Sequence, residues 1–289
     1  MKKKICSVLL ALSTAAMISA CGSSAPEAAA PADSADASAQ VQDSEVPASD
    51  TAAADSDIDY IKGKGSLIVG ITDFAPMDYK DDSGNWIGFD ADMAKKVAES
   101  LGVECEFVEI DWDNKILELD NKSIDVVWNG MTLTPEVTSA MECTKAYCNN
   151  AQVVVVKAED ADKYTTVESL ADLTFAVESG SAGEEVATEN GFNVTAVKTQ
   201  ADAVMEVAAG TSDACVIDLL MAGAMVGEGT GYENLTHTVE LNSEEYGAGC
   251  RKGSDLAEYI NSQMKTLYDN GTMKEIATKY GVQDALIAQ

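Results

Sequence analysis

The chain has 289 residues, with 19 Lys+Arg against 49 Asp+Glu, a single histidine and a formal net charge of −30. So acidic a protein argues against nucleic acid and anionic membrane surfaces as partners, because both carry negative charge. The one histidine, His237, and seven cysteines without a zinc or CxxC spacing argue against a metal site, a metal cofactor or a Cys/His nucleophile.

The amino end, MKKKICSVLLALSTAAMISACG, has three lysines followed by a short apolar run. This pattern predicts a secretory signal peptide over residues 1–20. The small residues before Cys21 resemble a bacterial lipobox, in which the cysteine becomes the lipidated first residue of the mature chain. Residues 21–57 contain eight acids and no aromatic or basic residue, which predicts a disordered tether. We therefore expect a lipoprotein held on the outer face of the cell membrane by its lipid alone.

The remaining body, residues 58–289, has 16 Lys+Arg and 41 Asp+Glu after the signal and tether are removed, a net charge of −25. Its length is enough for one large or two smaller cores. Apolar periodicity predicts a first set of alternating elements. They are strands over 66–71, 105–110, 124–130 and 151–158, and helices over 90–102 and 114–122.

A second set follows the first: strands within 169–181 and 194–199, a strand that passes into a helix within 213–220, helices over 182–191 and 201–211, a return strand within 245–254, and two helices over 255–281 broken at Asn270-Gly271. Two rounds of alternation predict two lobes, each with a parallel sheet covered by helices. Five cysteines fall in this body. Cys143 and Cys148 either pair or stay reduced, and both alternatives remain open.

Ligands of open α/β sheets lie beyond the carboxyl ends of the strands, where loops and helix amino ends gather. The residues that follow predicted strands are Phe74, Trp112, Asn129, Gly130, Met131, Thr132, Glu178, Ser181, Ala182 and Asp218. The free backbone amides at Ser181-Ala182 are suited to receive a carboxylate, although helix capping alone explains the serine equally well. These positions predict a small-molecule cleft.

Three segments carry a family resemblance: VGITDFAPMDYKDDSGNWIGFDADMAKKVAESLG, IDWDNKILELDNKSIDVVWNGMTLTPE and GTSDACVIDLLMA. They resemble the family 3 extracellular solute-binding proteins, which deliver amino acids to ATP-driven importers. The resemblance implies a two-lobed, type II periplasmic-binding-protein-like α/β fold with two hinge strands, 153–157 and 247–252. Lobe 1 would comprise 58–155 plus 248–289, and lobe 2 would comprise 156–247. We expect a monomer that binds an amino acid or related small amine and docks on an ABC permease.

The same resemblance implies roles for individual residues. Phe74 and Trp112 match the aromatic pair that sandwiches the ligand side chain, with core packing as the alternative for each. Gly130 and Thr132 match positions that hold the amino and carboxyl groups of the ligand. Asp218 matches the acid that pairs with the α-ammonium group.

Two positions depart from the family pattern. Where the family has an arginine that grips the ligand carboxylate, this chain has Val137; its only arginine is Arg251, and Lys145 is a conceivable substitute eight residues away. Glu178 stands where relatives carry a lysine or an apolar residue. The hypothesis is that the ligand is cationic or lacks a free carboxylate. The alternative is an ordinary neutral amino acid bound through the other polar groups.

Two other classes of function compete with transport. Some relatives with this fold are dehydratases acting on cyclic dicarboxylates, which need basic residues to hold two carboxylates. The missing arginine, and the lack of a nucleophile elbow or P-loop, argue against an enzyme. A ligand-sensing lipoprotein that does not transport is equally compatible with the sequence.

Overall fold

The computed structural model describes residues 56–289. The predicted signal peptide, Cys21 and nearly all of the tether lie outside the described residues. The last two residues assigned to the tether, Ser56 and Asp57, are described and belong to the first helix and its cap. Ser56 is the N-cap of the first helix, α1 (Asp57–Lys64), and its hydroxyl accepts a hydrogen bond from the Asp59 amide at 3.1 Å.

The described chain up to residue 150 continues with β1 (Ser66–Ile71), β2 (Tyr79–Lys80), β3 (Trp86–Ile87), α2 (Phe89–Leu101), β4 (Glu104–Glu109), α3 (Lys115–Asp120), β5 (Val126–Thr132), α4 (Pro135–Ala140), β6 (Glu142–Cys143) and β7 (Cys148–Asn150). A 3-10 turn, Trp112–Asn114, precedes α3. The predicted strands and helices of this half are confirmed to within a few residues. The hairpin β2–β3 and strands β6 and β7 are too short to show a sequence period.

Beyond residue 150 the elements are β8 (Gln152–Lys157), β9 (Thr174–Glu178), α5 (Ala182–Glu189), β10 (Asn193–Val197), α6 (Gln200–Ala209), β11 (Ala214–Asp218), α7 (Leu219–Met225), β12 (Leu235–Glu240), β13 (Glu244–Cys250), α8 (Leu256–Asp269) and α9 (Thr272–Tyr280). The sequence periodicity predicts all of these elements except β12, and it does not separate α7 from the strand before it. The two C-terminal helices pack on α2 and so return the chain to the first sheet.

The two main sheets have the strand orders β4-β1-β5-β13-β6, with β7 also paired to β13, and β10-β9-β11-β8-β12. The prediction of parallel sheets is only partly right. β1 runs parallel to β4 and β5, and β9 runs parallel to β10 and β11, but β13 and β8 are antiparallel to their neighbours. Both arrive from the other sheet. β8 begins opposite the carboxyl end of β11, and β13 passes the carboxyl end of β5, so both enter at the edge where a ligand cleft forms.

The chain crosses between the sheets at Ala151, and again at residues 241–243. The predicted hinge strands, 153–157 and 247–252, lie within β8 and within β13 and the turn that follows it, so both come after the residues where the chain crosses. The sequence placed both boundaries too late because a run such as VVVVK does not reveal which sheet it joins.

The cysteines of the described residues are all unpaired, including Cys143 on β6 and Cys148 on β7. Burial raises the pKa of the Cys148 thiol well above its usual range. These thiols are therefore packed as apolar side chains rather than poised for reaction.

Arg251 belongs to the frame of the first lobe. Its guanidinium donates to both carboxylate oxygens of Asp57 at 3.0 and 3.1 Å and to the Ile124 carbonyl at 2.7 Å. It also contacts Asp125, whose fully buried carboxylate accepts from the Ile68 amide at 2.8 Å and from Lys64 at 2.6 Å. The arginine thus ties α1 and the start of β5 to the end of β13.

Replacing Arg251 by Met is expected to lower the free energy of unfolding by about 2–4 kcal/mol, because Asp57 loses its cation while the fully buried Asp125 keeps only Lys64. Urea denaturation of the purified protein measures the change. Lys265→Met is the matched control, since it removes an exposed (i,i+4) pair with Asp269 and should cost about 0.5 kcal/mol or less. Equal losses in the two variants would contradict the structural role of Arg251.

Candidate functional site

A cavity of ≈ 420 Å³ lies between the carboxyl edges of the two sheets, a size that suits a small molecule. All eleven positions singled out in the sequence line this cavity: Phe74, Trp112, Asn129, Gly130, Met131, Thr132, Val137, Glu178, Ser181, Ala182 and Asp218. The structure therefore brings the candidate residues of both lobes together. Their contact with a ligand remains a proposal.

Sequence reasoning missed other lining residues: Thr72, Thr134, Lys115, Glu136, Gln152, Glu184, Glu185, Thr188, Glu189 and Gln200. Gln200 opens α6 just after β10, so the rule of strand carboxyl ends was enough to find it. Gln152 was not accessible to that rule, because it begins an antiparallel strand. Lys115 lies inside an amphipathic pattern that gives no sign of the cavity.

The apolar wall of the cavity explains Val137. Its side chain is 5% exposed and belongs to the same buried cluster as Trp112 and Met131. Phe74, 2% exposed, packs edge-on against Tyr246 with ring centroids 6.3 Å apart. Phe74 and Trp112 therefore both pack in the core and line the cavity.

Gly130 is required beside Phe74. Its φ is 53°, in the left-handed region, and a Cβ there would lie 2.4 Å from the Phe74 ring. Its amide donates to Asp90 at 2.6 Å. The neighbouring Asn129 has its side chain fully used within the protein, since it bonds Thr72 through both amide atoms and donates to Asp78. Asn129 therefore shapes the wall and has no spare side-chain group for a ligand.

Asp218 is 3% exposed at the end of β11 and is surrounded by neutral donors. Its carboxylate accepts hydrogen bonds from Tyr246 at 2.6 Å, from Gln152 at 3.1 Å, and from the amides of Asn150 and Gln200. Burial, reinforced by the charge of Glu244, raises its pKa to about 8. No described lysine or arginine lies within ion-pair distance.

Glu244 extends this arrangement across the two crossings. It accepts from Thr132 at 2.8 Å, Asn150 at 2.7 Å and Gln152 at 2.8 Å. We call Asn150, Gln152, Gln200, Asp218, Glu244 and Tyr246 the crossing network, because it joins strands of both sheets where the chain passes between them. The resemblance implies that the Thr132 hydroxyl contacts the ligand. In this structure the hydroxyl donates its hydrogen bond to Glu244 of the crossing network, so only its oxygen lone pairs remain free to accept one.

Glu178 ends β9 and is 2% exposed, with its Oε1 atom buried and lacking any hydrogen-bond partner in the described structure. Burial, with the nearby charge of Asp218, raises its pKa to about 8. A buried carboxylate oxygen without a partner is costly to keep. In a cavity wall it is a prepared acceptor for an N–H group of a ligand.

The charges around the cavity are unequal. Six carboxylates line it, with Glu178 and Asp218 buried and Glu136, Glu184, Glu185 and Glu189 nearer the rim. Among the described lining residues, Lys115 is the single cationic side chain. Lys145, the substitute considered from the sequence, is exposed and lies outside this lining.

The lobes touch at the outer side of the cavity. Lys115 Nζ donates to the Gly180 carbonyl at 2.9 Å, and Lys198 pairs with Asp111 at 3.2 Å on the surface. A Cβ placed on Gly180 would lie 2.7 Å from the Cα of Asp113. The structure is therefore a closed arrangement in which the backbones of the two lobes meet.

The amino end of α5 faces the same cavity. Ser181 Oγ accepts from the Glu184 amide at 3.1 Å, and the Glu184 carboxylate accepts from the Gly180 amide at 2.7 Å, so the serine is a helix cap. The amides of Ala182 and Gly183 donate no hydrogen bond within residues 56–289. These amides, at the positive end of the helix dipole, can receive an anion.

Comparison with known proteins identifies relatives over most of the chain. Residues 67–283 match the family described as bacterial extracellular solute-binding proteins, family 3. The arginine-binding extracellular protein ArtP of Bacillus subtilis (strain 168) is 29% identical over 239 residues, covering 79% of this chain and 91% of ArtP. None of the helices in residues 56–289 has the length and apolar character needed to cross a membrane.

Solved structures give the same picture. The arginine-bound form of truncated ArgBP from T. maritima superposes with a TM-score of 0.68 at 35% identity, covering 72% of this chain and 99% of that one. An ancestral amino-acid-binding protein, described as a precursor of cyclohexadienyl dehydratase, gives a TM-score of 0.71 at 32% identity, covering 78% and 99%. The two-lobed fold implied by the sequence is confirmed.

The raised pKa of Glu178 predicts the pH dependence of the ligand-free protein. Its carboxyl has a pKa of about 4.5 when unfolded and about 8 when folded. Its contribution to stability is therefore complete below pH 4.5, and is lost as the pH rises toward 8, because only the unfolded state releases the proton in that window. Glu178→Gln removes this titration and should make the ligand-free protein more stable than wild type at about pH 9, by roughly 1–3 kcal/mol.

Urea unfolding at about pH 5 and about pH 9 measures the difference between wild type and Glu178→Gln. The control is Glu189→Gln, an exposed rim residue of the same cavity, which should follow the wild-type profile. An unchanged pH profile in Glu178→Gln would show that this carboxyl is not the group that titrates.

Proposed function

Because this chain belongs to the bacterial extracellular solute-binding proteins of family 3, we propose that it captures a positively charged amino acid outside the cell and delivers it to an ABC import permease. The observation that carries the proposal is the charge of the cavity. Two buried carboxylates, Glu178 and Asp218, and four further acids surround one lysine. With pKa values of about 8, both buried acids are largely protonated near neutral pH in the ligand-free protein. A bound cation lowers these pKa values and lets the acids ionise beside it, whereas a neutral ligand does not.

The relatives support this choice of ligand. ArtP is named for arginine, and ArgBP from T. maritima is an arginine-bound structure. A guanidinium or ammonium group presents several N–H donors, which suits the unpartnered oxygen of Glu178 and the acid-lined wall. Phe74 and Trp112 then flank the aliphatic stem or the cationic head of the ligand, with cation–π attraction of about 1 kcal/mol for each ring.

Capture proceeds by closure of the lobes around the ligand. Asp218 on the second sheet and the β5 wall on the first reach the ligand together only when the cleft is closed. The closed form is therefore stabilised by ligand contacts that the open form cannot make. The crossings at Ala151 and residues 241–243 are the places where the chain allows this rotation, and the closed body is the form that docks on the permease.

We include the lipid anchor in the proposal. Cys21 follows Ile18 and the small residues Ser19 and Ala20, and the acidic tether gives the binding body reach from the membrane.

The second candidate function is a dehydratase, favoured by the ancestral neighbour described as a dehydratase precursor. An anionic dicarboxylate substrate is disfavoured by six lining carboxylates and one lysine. Sensing without transport is the third candidate.

Calorimetric titration of the purified protein is expected to show saturable binding of L-arginine, L-lysine or L-histidine, and binding of L-leucine or L-glutamine at least about tenfold weaker. Glu178→Gln should weaken binding of the cationic ligand by roughly 10- to 100-fold, because a hydrogen bond to a charged carboxylate is replaced by one to a neutral amide. Glu228→Gln is the control, because Glu228 is exposed and lies outside the cavity lining. Tightest binding of a neutral amino acid, or turnover of a ligand, would contradict the proposal.

Cys21→Ser is expected to move the protein from the membrane fraction into the surrounding fluid, since the cysteine is the proposed site of lipid attachment. Fractionation with immunodetection measures the distribution. Cys6→Ser, inside the predicted signal peptide, is the control and should leave the protein on the membrane. An unchanged distribution of Cys21→Ser would remove the anchor from the proposal and leave ligand binding unaffected.

A further inference from the structure

Lys115 is buried in the cavity wall without an ion-pair partner. It is 8% exposed, begins α3, and no carboxylate lies within 4 Å of its Nζ in residues 56–289. Nζ donates to the Trp112 carbonyl at 3.2 Å and to the Gly180 carbonyl at 2.9 Å. An ammonium group has three N–H donors, so one remains unused.

A buried ammonium without a counter-ion is unfavourable, because the carbonyls only partly replace water. Burial lowers the pKa of Lys115, although the carboxylates of Glu136, Glu178 and Asp113 act in the opposite direction. If bridging the lobes were its whole task, a neutral donor would serve at lower cost. The retained charge points to an anion that arrives with the ligand.

The position of Lys115 places it beside a second anion-binding feature. Its partner Gly180 immediately precedes the amino end of α5, where the amides of Ala182 and Gly183 have no acceptor in the described chain. A carboxylate beside Gly180 would meet an ammonium from one lobe and helix amides from the other. The Val137 side chain is apolar and lies in the Trp112 cluster, so it offers no such contact.

We propose that Lys115 binds the α-carboxylate of the ligand across the closed cleft, so that the ligand is an intact cationic amino acid and not its decarboxylated amine. The inference rests on the proposed function and adds the anionic half of recognition to it. Glu178 and Asp218 bind the cationic groups, and Lys115 with the α5 amides binds the carboxylate. Because Lys115 also holds Gly180 of the opposite lobe, carboxylate recognition is coupled to closure.

The test compares amino acids with amines that differ only by the carboxylate: L-arginine with agmatine, and L-lysine with cadaverine. Dissociation constants are measured by calorimetry for wild type, Lys115→Met, Lys115→Gln and Lys145→Met. Wild type should prefer the amino acid in the bound pair by at least about tenfold. Both Lys115 variants should reduce this preference to roughly threefold or less, while Lys145→Met, an exposed lysine outside the cavity lining, should keep it.

The ratio within a pair is the decisive quantity, because a general loss of closure in a Lys115 variant weakens both members alike. A wild-type protein that binds the amine as tightly as the amino acid overturns the inference. So does a Lys115 variant with an unchanged ratio, which would leave the lysine as an inter-lobe bridge alone. If no amino acid or amine of either pair binds, the proposed function itself fails, and that outcome is distinct from an unchanged ratio.

Discussion

The enclosure of acidic side chains beside the two chain crossings is the constraint on which this structure depends. Asp218 and Glu244 lie where the chain passes between the sheets, and neutral amide and hydroxyl donors hold Asp218 without a nearby cation. Neutral donors can orient a carboxylate, but they do not cancel its charge. Burial therefore raises the pKa of Asp218 to about 8, so that this acid is largely protonated at neutral pH in the ligand-free protein. A cation that enters the cavity completes the site, and its attraction to the acids favours the closed form.

The two lobes divide the work unequally. The first lobe supplies the apolar wall, which consists of Phe74, Trp112 and Val137. Arg251 lies outside the cavity lining and stabilises this lobe through its ion pairs. The second supplies Glu178, Asp218 and the amino end of α5. Lys115 is the exception, a charged group of the first lobe directed to the second. The first lobe therefore provides apolar surface against which a ligand can stack. The second lobe provides the charged groups that select the ligand.

Much of the site was predictable because parallel strands deliver their carboxyl ends to one edge, and Glu178 and Asp218 each end such a strand. What the sequence could not reveal depends on contacts distant along the chain. Lys115 meets a carbonyl 65 positions away, and Gln152 sits on a strand whose antiparallel direction appears only once its sheet is known. Val137 is apolar where the family resemblance implies an arginine, and the cavity has a cation from another element, Lys115. The local sequence pattern predicted which sheet edge forms the cavity. Contacts between distant parts of the chain determine which polar groups face it.

Gly180 has a consequence for how such a protein changes its choice of ligand. Its backbone stands so near Asp113 that a single methyl group at that position would meet the Asp113 Cα. The lobes approach this closely on the outer side of the cavity because Gly180 has no Cβ atom. A residue with a side chain there would act as a spacer between the lobes and enlarge the enclosed volume, while the charged residues of the cavity wall keep their identity. Ligand size is therefore adjustable independently of ligand charge.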